Sequence, residues 1–228
     1  MTQSINIAIV GLGGVGSILA ERLCRFLNFS QDYKSLILLV DGDKYEPKNY
    51  ERQEFIGIGN KAETKAHELA SRFPKIEFDV FDAYINEDNI QDVISEDTVV
   101  FICVDNHKSR MVINNYCKTL NNVTIISGGN ELTDGNAQLY VRKGGKDLTP
   151  DLCAYHPEIA NPEDKLPDEM SCEELSVSEP QLYFTNLGVA TLMCWLFYNS
   201  VVKGQHERSE VYFDILSMNS NSKIRIVK

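Results

Sequence analysis

INIAIVGLGGVGSILAERL, residues 5–23, decides the fold. A short apolar run ends at Val10, glycines follow at Gly11, Gly13, Gly14 and Gly16, and residues able to start a helix come next. Ile7 to Val10 read as a buried strand, and the turn after it has almost no side chains. Glycines let the backbone approach a ligand closely, and a helix starting near Gly14 points its unpaired N–H groups at an anion. The spacing Gly11-x-Gly13-x-x-Gly16 meets the dinucleotide fingerprint in its required setting, after a strand and opening a helix. Alone, it also fits a tight strand–helix turn with no ligand. Asp41 in LILLVDGD (residues 36–43) stands where a ribose hydroxyl is bound, which suits NAD and ATP equally.

Working outward, strand-like runs recur at 5–10, 36–40, 77–81, 99–104 and 123–127, with helical patterns at 15–29, 61–73, 89–94 and 108–120 between them. This alternation predicts an α/β, Rossmann-like fold: a mainly parallel, twisted sheet with helices on both faces. After residue 130 the pattern changes. AQLYVRKGG (137–145) reads as a strand, and 143–177 is a long polar crossover loop holding four of the seven prolines. Loops of that length inside a compact domain are functional or disordered. A strongly apolar helix over 178–200 and antiparallel strands within 209–228, pairing 210–216 with 222–227, are expected to complete one domain over 1–228.

Composition narrows the function. The formal charge of −11 argues against a nucleic-acid or anionic-membrane surface, since both need a basic face. No apolar run reaches the ~18 residues of a membrane-spanning helix, and the N-terminus lacks the charged region of a signal peptide. Six scattered cysteines predict a reduced, cytoplasmic protein. Four of them lie in apolar segments as core fillers, whereas Cys153 and Cys172 do not.

DGDKYEPKNYERQEF (41–55) separates ATP from NAD. A redox domain needs one acid after its second strand. Here Asp41 and Asp43 are followed by Lys48, Asn49, Arg52 and Gln53, a helix from Lys61 carries Lys65, and the fourth strand ends in CVDN (103–106). Chemistry at an α-phosphate uses such a set: cations spread charge off phosphorus and the leaving pyrophosphate, while an acid holds Mg²⁺.

Together GLGGVG, DGD, NYERQ, Lys65 within ETKAHELA and CVDNHKSRMVINNYC resemble the ThiF/MoeB/HesA family, the adenylation fold of ubiquitin-activating enzymes. The last stretch is similar to the short ubiquitin-fold-modifier-activating branch. The resemblance implies that Asp41 takes the ribose hydroxyls. Asn49, Arg52 and Lys65 would hold and neutralise the phosphates. Asp105 would serve adenylation and Mg²⁺, with Asn106 beside it on the nucleotide. It also implies a homodimer.

Two features depart from the family pattern. Relatives hold a structural zinc with two CxxC pairs, whereas this chain offers only Cys153 and His156 of CAYH (153–156), so zinc is not expected. Relatives also take an arginine from the partner protomer's N-terminal extension, and this chain enters its first strand at once, leaving that arginine without a source. In thioester-forming relatives the nucleophile lies in the crossover, shortly before the following helix. Cys172 in MSCEELSVSEP (170–180) occupies that place. A helix N-terminus beyond it would lower its pKa, while Glu173 and Glu174 oppose that. The histidines at 67, 107, 156 and 206 have no cysteine or acid partner legible in the sequence.

The expected activity is ATP–Mg²⁺-dependent adenylation of the C-terminal carboxylate of a ubiquitin-like protein. Transfer to Cys172 and then to a conjugating enzyme would follow, and the acidic chain suits a partner with a basic face. Two alternatives stay open: adenylation for sulfur-carrier or small-molecule activation without a thioester, or a weakly active subunit that scaffolds a partner.

Overall fold

The computed structural model describes residues 3–51, 53–170 and 181–227. In chain order the main elements are β1 (Gln3–Val10), α1 (Gly14–Phe29), β2 (Tyr33–Val40), α2 (Lys61–Arg72), β3 (Ile76–Phe81), α3 (Ile90–Val93), β4 (Thr98–Ile102) and α4 (His107–Cys117). Then come β5 (Val123–Asn130), β6 (Asp134–Lys143), β7 (Lys146–Asp147), α5 (Pro157–Ala160), α6 (Tyr183–Phe197), β8 (Glu210–Asp214) and β9 (Asn219–Lys223). They form one mixed sheet in the order β3-β2-β1-β4-β5-β6-β8-β9, with β7 beside β6. The five strands from β3 to β5 run parallel, and those beyond β5 are antiparallel. The α/β, Rossmann-like expectation is met.

Strand alternation divides the core between the two sheet faces. Ile5, Ile7 and Ile9 of β1, with Val99 and Phe101 of β4, pack under α1, α2 and α6. Ala8 and Val10, with Val100 and Ile102, pack under α3, α4 and α5 on the other face. Each Ile or Leu fully buried in this way contributes ~1.5–3 kcal/mol. Apolar nearly throughout, α6 lies against α1 and across β5 and β6.

The register aligns the functional ends. Val10 pairs with Val40 of β2 and with Ile102 of β4, so Gly11, Asp41 and Cys103 leave the sheet side by side. Chain order reverses at β1, whose neighbours are β2 and β4, and ligands of doubly wound sheets bind in the crevice at such a point.

Near the C-terminus the second hairpin strand forms at Asn219–Lys223, earlier than the expected 222–227. The turn sets this register. Asp214 Oδ1 accepts the N–H groups of Leu216 and Ser217, and Met218 turns the chain at φ 55°.

Candidate functional site

A cleft of about 1410 Å³ opens at the C-terminal ends of β1, β2 and β4. Its near wall is the glycine turn. Gly11 has φ +88°, and a Cβ there would sit 3.0 Å from the Cys103 carbonyl. A Cβ on Gly16 would fall 1.9 Å from the Gly11 oxygen, so the start of α1 packs directly on the turn. Gly11, Gly13 and Gly14 line the cleft.

Asp41 is buried behind this turn, its Oδ2 accepting the Leu12 N–H at 2.6 Å and its Oδ1 the Asp43 N–H at 2.8 Å. Burial raises its pKa against the opposing pull of the Lys61 ammonium. Asp43 accepts from Lys61 Nζ at 2.7 Å and from the Tyr84 hydroxyl. Burial raises its pKa too, but Lys61 and Tyr84 outweigh that and hold the carboxyl below its ordinary range. Asn49 and Gln53 are buried at the cleft edge, where Asn49 Oδ1 accepts the Glu46 N–H at 2.8 Å and Gln53 Oε1 has no partner among the described residues.

Lys65, expected to hold the phosphates, is paired within the protein in this ligand-free structure. Its side chain is 3% exposed, and Nζ donates to Glu68 Oε2 and to the Glu54 carbonyl, both at 2.7 Å. Lys65 does not line the cleft; Lys61, one turn earlier, does. Both lysines share one face of α2, so periodicity could not choose between them. The choice follows from the α2 start: Asn60 caps it, accepting from the Ala62 and Glu63 N–H groups, and this sets Lys61 against the strand ends. Arg52 and Cys172 lie outside the described residues.

Across the cleft, Asp105 is exposed at the end of β4 and faces the cavity. Asn106 also lines it, but Asn106 Oδ1 accepts the Ser109 N–H at 2.7 Å as the cap of α4. The α4 N-terminus holds a carboxylate from the crossover: Asp164 accepts the His107 N–H at 2.6 Å and the Lys108 N–H at 2.9 Å. Mg²⁺ bound to a nucleotide takes one or two carboxylates plus phosphate oxygens, and Asp105 is one of the carboxylates that line the cleft. Among the described residues no group of three or more His, Cys, Asp or Glu is arranged to hold a metal by itself.

One histidine does have acid partners, contrary to the sequence reading. His156 lies between Glu158, 2.9 Å from Nδ1, and Glu210, 2.8 Å from Nε2. Those carboxylates overcome burial and raise its pKa, while Glu210 falls to about 2 against the opposing effect of burial. The pairings span two and 54 residues, and the strand register that brings Glu210 here was not readable beforehand. Cys153 is partly buried, and burial pushes its thiol up to about 11, the reverse of an activated nucleophile.

A glycine turn, a buried acid, a lysine and an exposed acid thus surround one cleft on a sheet of this topology. A family model described as ThiF family matches residues 2–225. The chain belongs to the ThiF family. It is similar to Ubiquitin-like modifier-activating enzyme 5 of Xenopus laevis, 35% identical over 154 residues, covering 60% of this chain and 37% of that protein. The enzyme of the same name from Gallus gallus is 33% identical over 156 residues, covering 61% and 38%. The matched stretch therefore spans well under half the length of these relatives. Among solved structures, E. coli MccB with ATP superposes with a TM-score of 0.76 at 17% identity, covering 98% of this chain and 64% of that one. E. coli MccB with MccA-N7isoASN gives 0.77 at 18% identity, covering 98% and 65%. At these identities the likeness is one of fold. No helix among the described residues is long and apolar enough to cross a membrane.

Proposed function

We propose that this ThiF-family chain uses ATP and Mg²⁺ to adenylate the C-terminal carboxylate of a ubiquitin-like protein. What carries the reading is the pairing, across one cleft, of the Asp41–Asp43–Lys61 cluster behind the glycine turn with the exposed Asp105. Relatives named as ubiquitin-like modifier-activating enzymes support the substrate class. In this reading Asp41 holds the ribose hydroxyls. The turn amides, Asn49, Gln53, Arg52 and Lys61 hold the phosphates, and Asp105 holds the metal side. The carboxylate oxygen attacks the α-phosphorus, forming the acyl–phosphate bond as the bond to pyrophosphate breaks. Lys61 would exchange its Asp43 contact for the developing charge on phosphate oxygens. The metal's contribution, when bound, is to neutralise the phosphates. The Cys172 thiolate then attacks the acyl carbon, forming a thioester as the bond to AMP breaks and AMP leaves, and the acyl group passes by thioester exchange to a conjugating enzyme's cysteine, in a cytoplasmic homodimer.

Two measurements test this. ATP–Mg²⁺ should raise the melting temperature while NAD leaves it unchanged, since a ligand that binds only the folded state stabilises it. Stabilisation by NAD alone would end the adenylation reading. With carrier protein and ATP–Mg²⁺, a reductant-sensitive band should form and disappear in Cys172→Ala while pyrophosphate exchange continues. A band surviving that substitution moves the nucleophile elsewhere. Exchange with no band leaves adenylation without a thioester step.

A further inference from the structure

Three of the carboxylates that line the cleft, Asp41, Asp43 and Asp105, stand just beyond the ends of β2 and β4, and Tyr84 lines the cleft with them. The Tyr84 hydroxyl donates to Asp43 Oδ1, while Lys61 Nζ donates to Asp43 Oδ2 at 2.7 Å. One carboxylate is thus served by a neutral donor on one oxygen and by a cation on the other. Burial raises the Tyr84 pKa, and the charges of Asp43, Asp41 and Asp105 raise it further, so the hydroxyl remains a donor near neutral pH.

The tyrosine is fixed at both its ring and its main chain. Gly42, between the two acids, gives the ring its place: a Cβ there would fall 2.8 Å from the Tyr84 nitrogen and 2.9 Å from two ring carbons. Asn89 Nδ2 donates to the Tyr84 carbonyl at 2.9 Å, and Asn89 Oδ1 accepts the Asn86 N–H at 2.9 Å. A residue from the segment after β3 therefore delivers its hydroxyl to an acid at the end of β2. The Lys61 side chain is 9% exposed and that of Asp43 is 44% exposed, so the lysine is the inner member of the pair. When Lys61 turns to phosphate oxygens, Asp43 loses its cation and at the same moment faces a second anion. Hydrogen bonds to ionised groups are the strong ones, so a carboxylate with no other side-chain donor would hold its lysine back. Tyr84 supplies that other donor.

We propose that Tyr84 is a positioning residue for Lys61: by donating to Asp43 it keeps that carboxylate bonded when the lysine leaves, and so frees Lys61 for the triphosphate. This deepens the adenylation reading and rests on it. Tyr84 acts through Asp43, not by contact with the nucleotide. Its hydroxyl has value only while both members of the Asp43–Lys61 pair are present.

The test is a double-mutant cycle on the full chain, read as ATP–Mg²⁺ affinity by calorimetry, and it needs no carrier protein. Tyr84→Phe keeps the ring on Gly42 and removes only the hydroxyl, so its melting temperature should stay close to the parent's. It should bind ATP roughly five- to tenfold more weakly, the loss of about one hydrogen bond. In an Asp43→Asn background, where nothing holds Lys61 back, adding Tyr84→Phe should change the affinity by less than about twofold. The same should hold in a Lys61→Met background. A loss that persists in either background overturns the proposal, because the hydroxyl would then act on the nucleotide or on the fold. Tyr84→Phe with the parent's ATP affinity overturns it too. If Lys61→Met itself binds ATP as the parent does, Lys61 is not on the triphosphate and the proposal fails while ATP binding stands. A parent that does not bind ATP fails the adenylation reading first, and the role of Tyr84 with it.

Discussion

The two sides of the cleft are built differently. On the β1–β2 side, the glycine turn, Asp41, Asp43 and Lys61 are bonded to one another, and both acids have a cation or a backbone donor. On the β5–β6 side, Asn136, Gln138 and Arg110 keep atoms without partners among the described residues. The first side is preorganised, its charges already balanced by protein. The second is incomplete without something else in the cleft.

The sharpest way to break this comparison is at Asp105, which stands between the two walls. Asp105→Ala should reduce carrier-dependent pyrophosphate exchange by at least about 10²–10³-fold, the range for deleting a group that stabilises developing charge. The melting temperature should stay close to the parent's, because the side chain is exposed at a strand end. Exchange at the parent rate would remove Asp105 from the chemistry.

The next test separates two lysines on one helix. Lys61→Met should raise the KM for ATP about tenfold or more, equivalent to about 1.4 kcal/mol of lost binding. Its effect on stability should be under about 1 kcal/mol, since Asp43 is 44% exposed at the side chain and keeps its Tyr84 contact. Lys65→Met should do the opposite. It leaves Glu68 buried with only Arg72, at 3.3 Å, still in reach. That costs about 3 kcal/mol, the low end for breaking one side of a buried pair, and lowers the melting temperature by roughly 6–12 °C, with ATP KM unchanged. If Lys65→Met instead impairs ATP while Lys61→Met does not, Lys65 is the lysine that holds the phosphates.

That pair of lysines shows what was legible in the sequence. The parallel half of the sheet could be read because each strand–helix unit is local: the apolar run, glycines and helix of residues 5–29 follow one another directly. Asp41 and Asp105 could be located at the cleft because Asp41 directly follows β2 and Asp105 comes three residues after β4. Lys61 and Lys65 could not be told apart in the sequence, since i and i+4 share a face of the helix. Asn136 and Gln138 gave no signal, being ordinary polar residues in an alternating strand whose opposite face is apolar. Arg110 stood within a quoted motif but had no role there, because its partners Ser127 and Gly128 lie 17 and 18 residues away. Glu210 needed the antiparallel extension, where it pairs with Gln138 across β6 and β8, before it could be seen beside His156.

The smallest expected effect tests whether that extension is a rigid support for the unfinished wall. Protonated His156 donates to Glu158 and Glu210, and Glu210 also accepts from Tyr212 at 2.6 Å and from Arg225 Nε at 2.8 Å. Arg225 in turn lies over the Tyr155 ring, so the crossover and the C-terminal segment share one charge cluster. The His156 pKa is raised above its ordinary 6.5, so its stabilisation is fully present below pH 6.5 and is lost as pH rises through the folded value. The Glu210 pKa falls from 4.5 to about 2, so its stabilisation is present above pH 4.5 and is lost as pH falls toward 2. Both act together only between pH 4.5 and 6.5. His156→Gln should therefore lower the melting temperature most in that window, by an amount near the ~2 kcal/mol of a hydrogen bond to a charged group. The gap from the parent should narrow as the pH rises through the raised folded value of the parent's imidazole. ATP affinity should not change, because His156 is outside the cleft lining. A gap independent of pH would mean that His156 acts only as packing and that the charge cluster does not hold the extension.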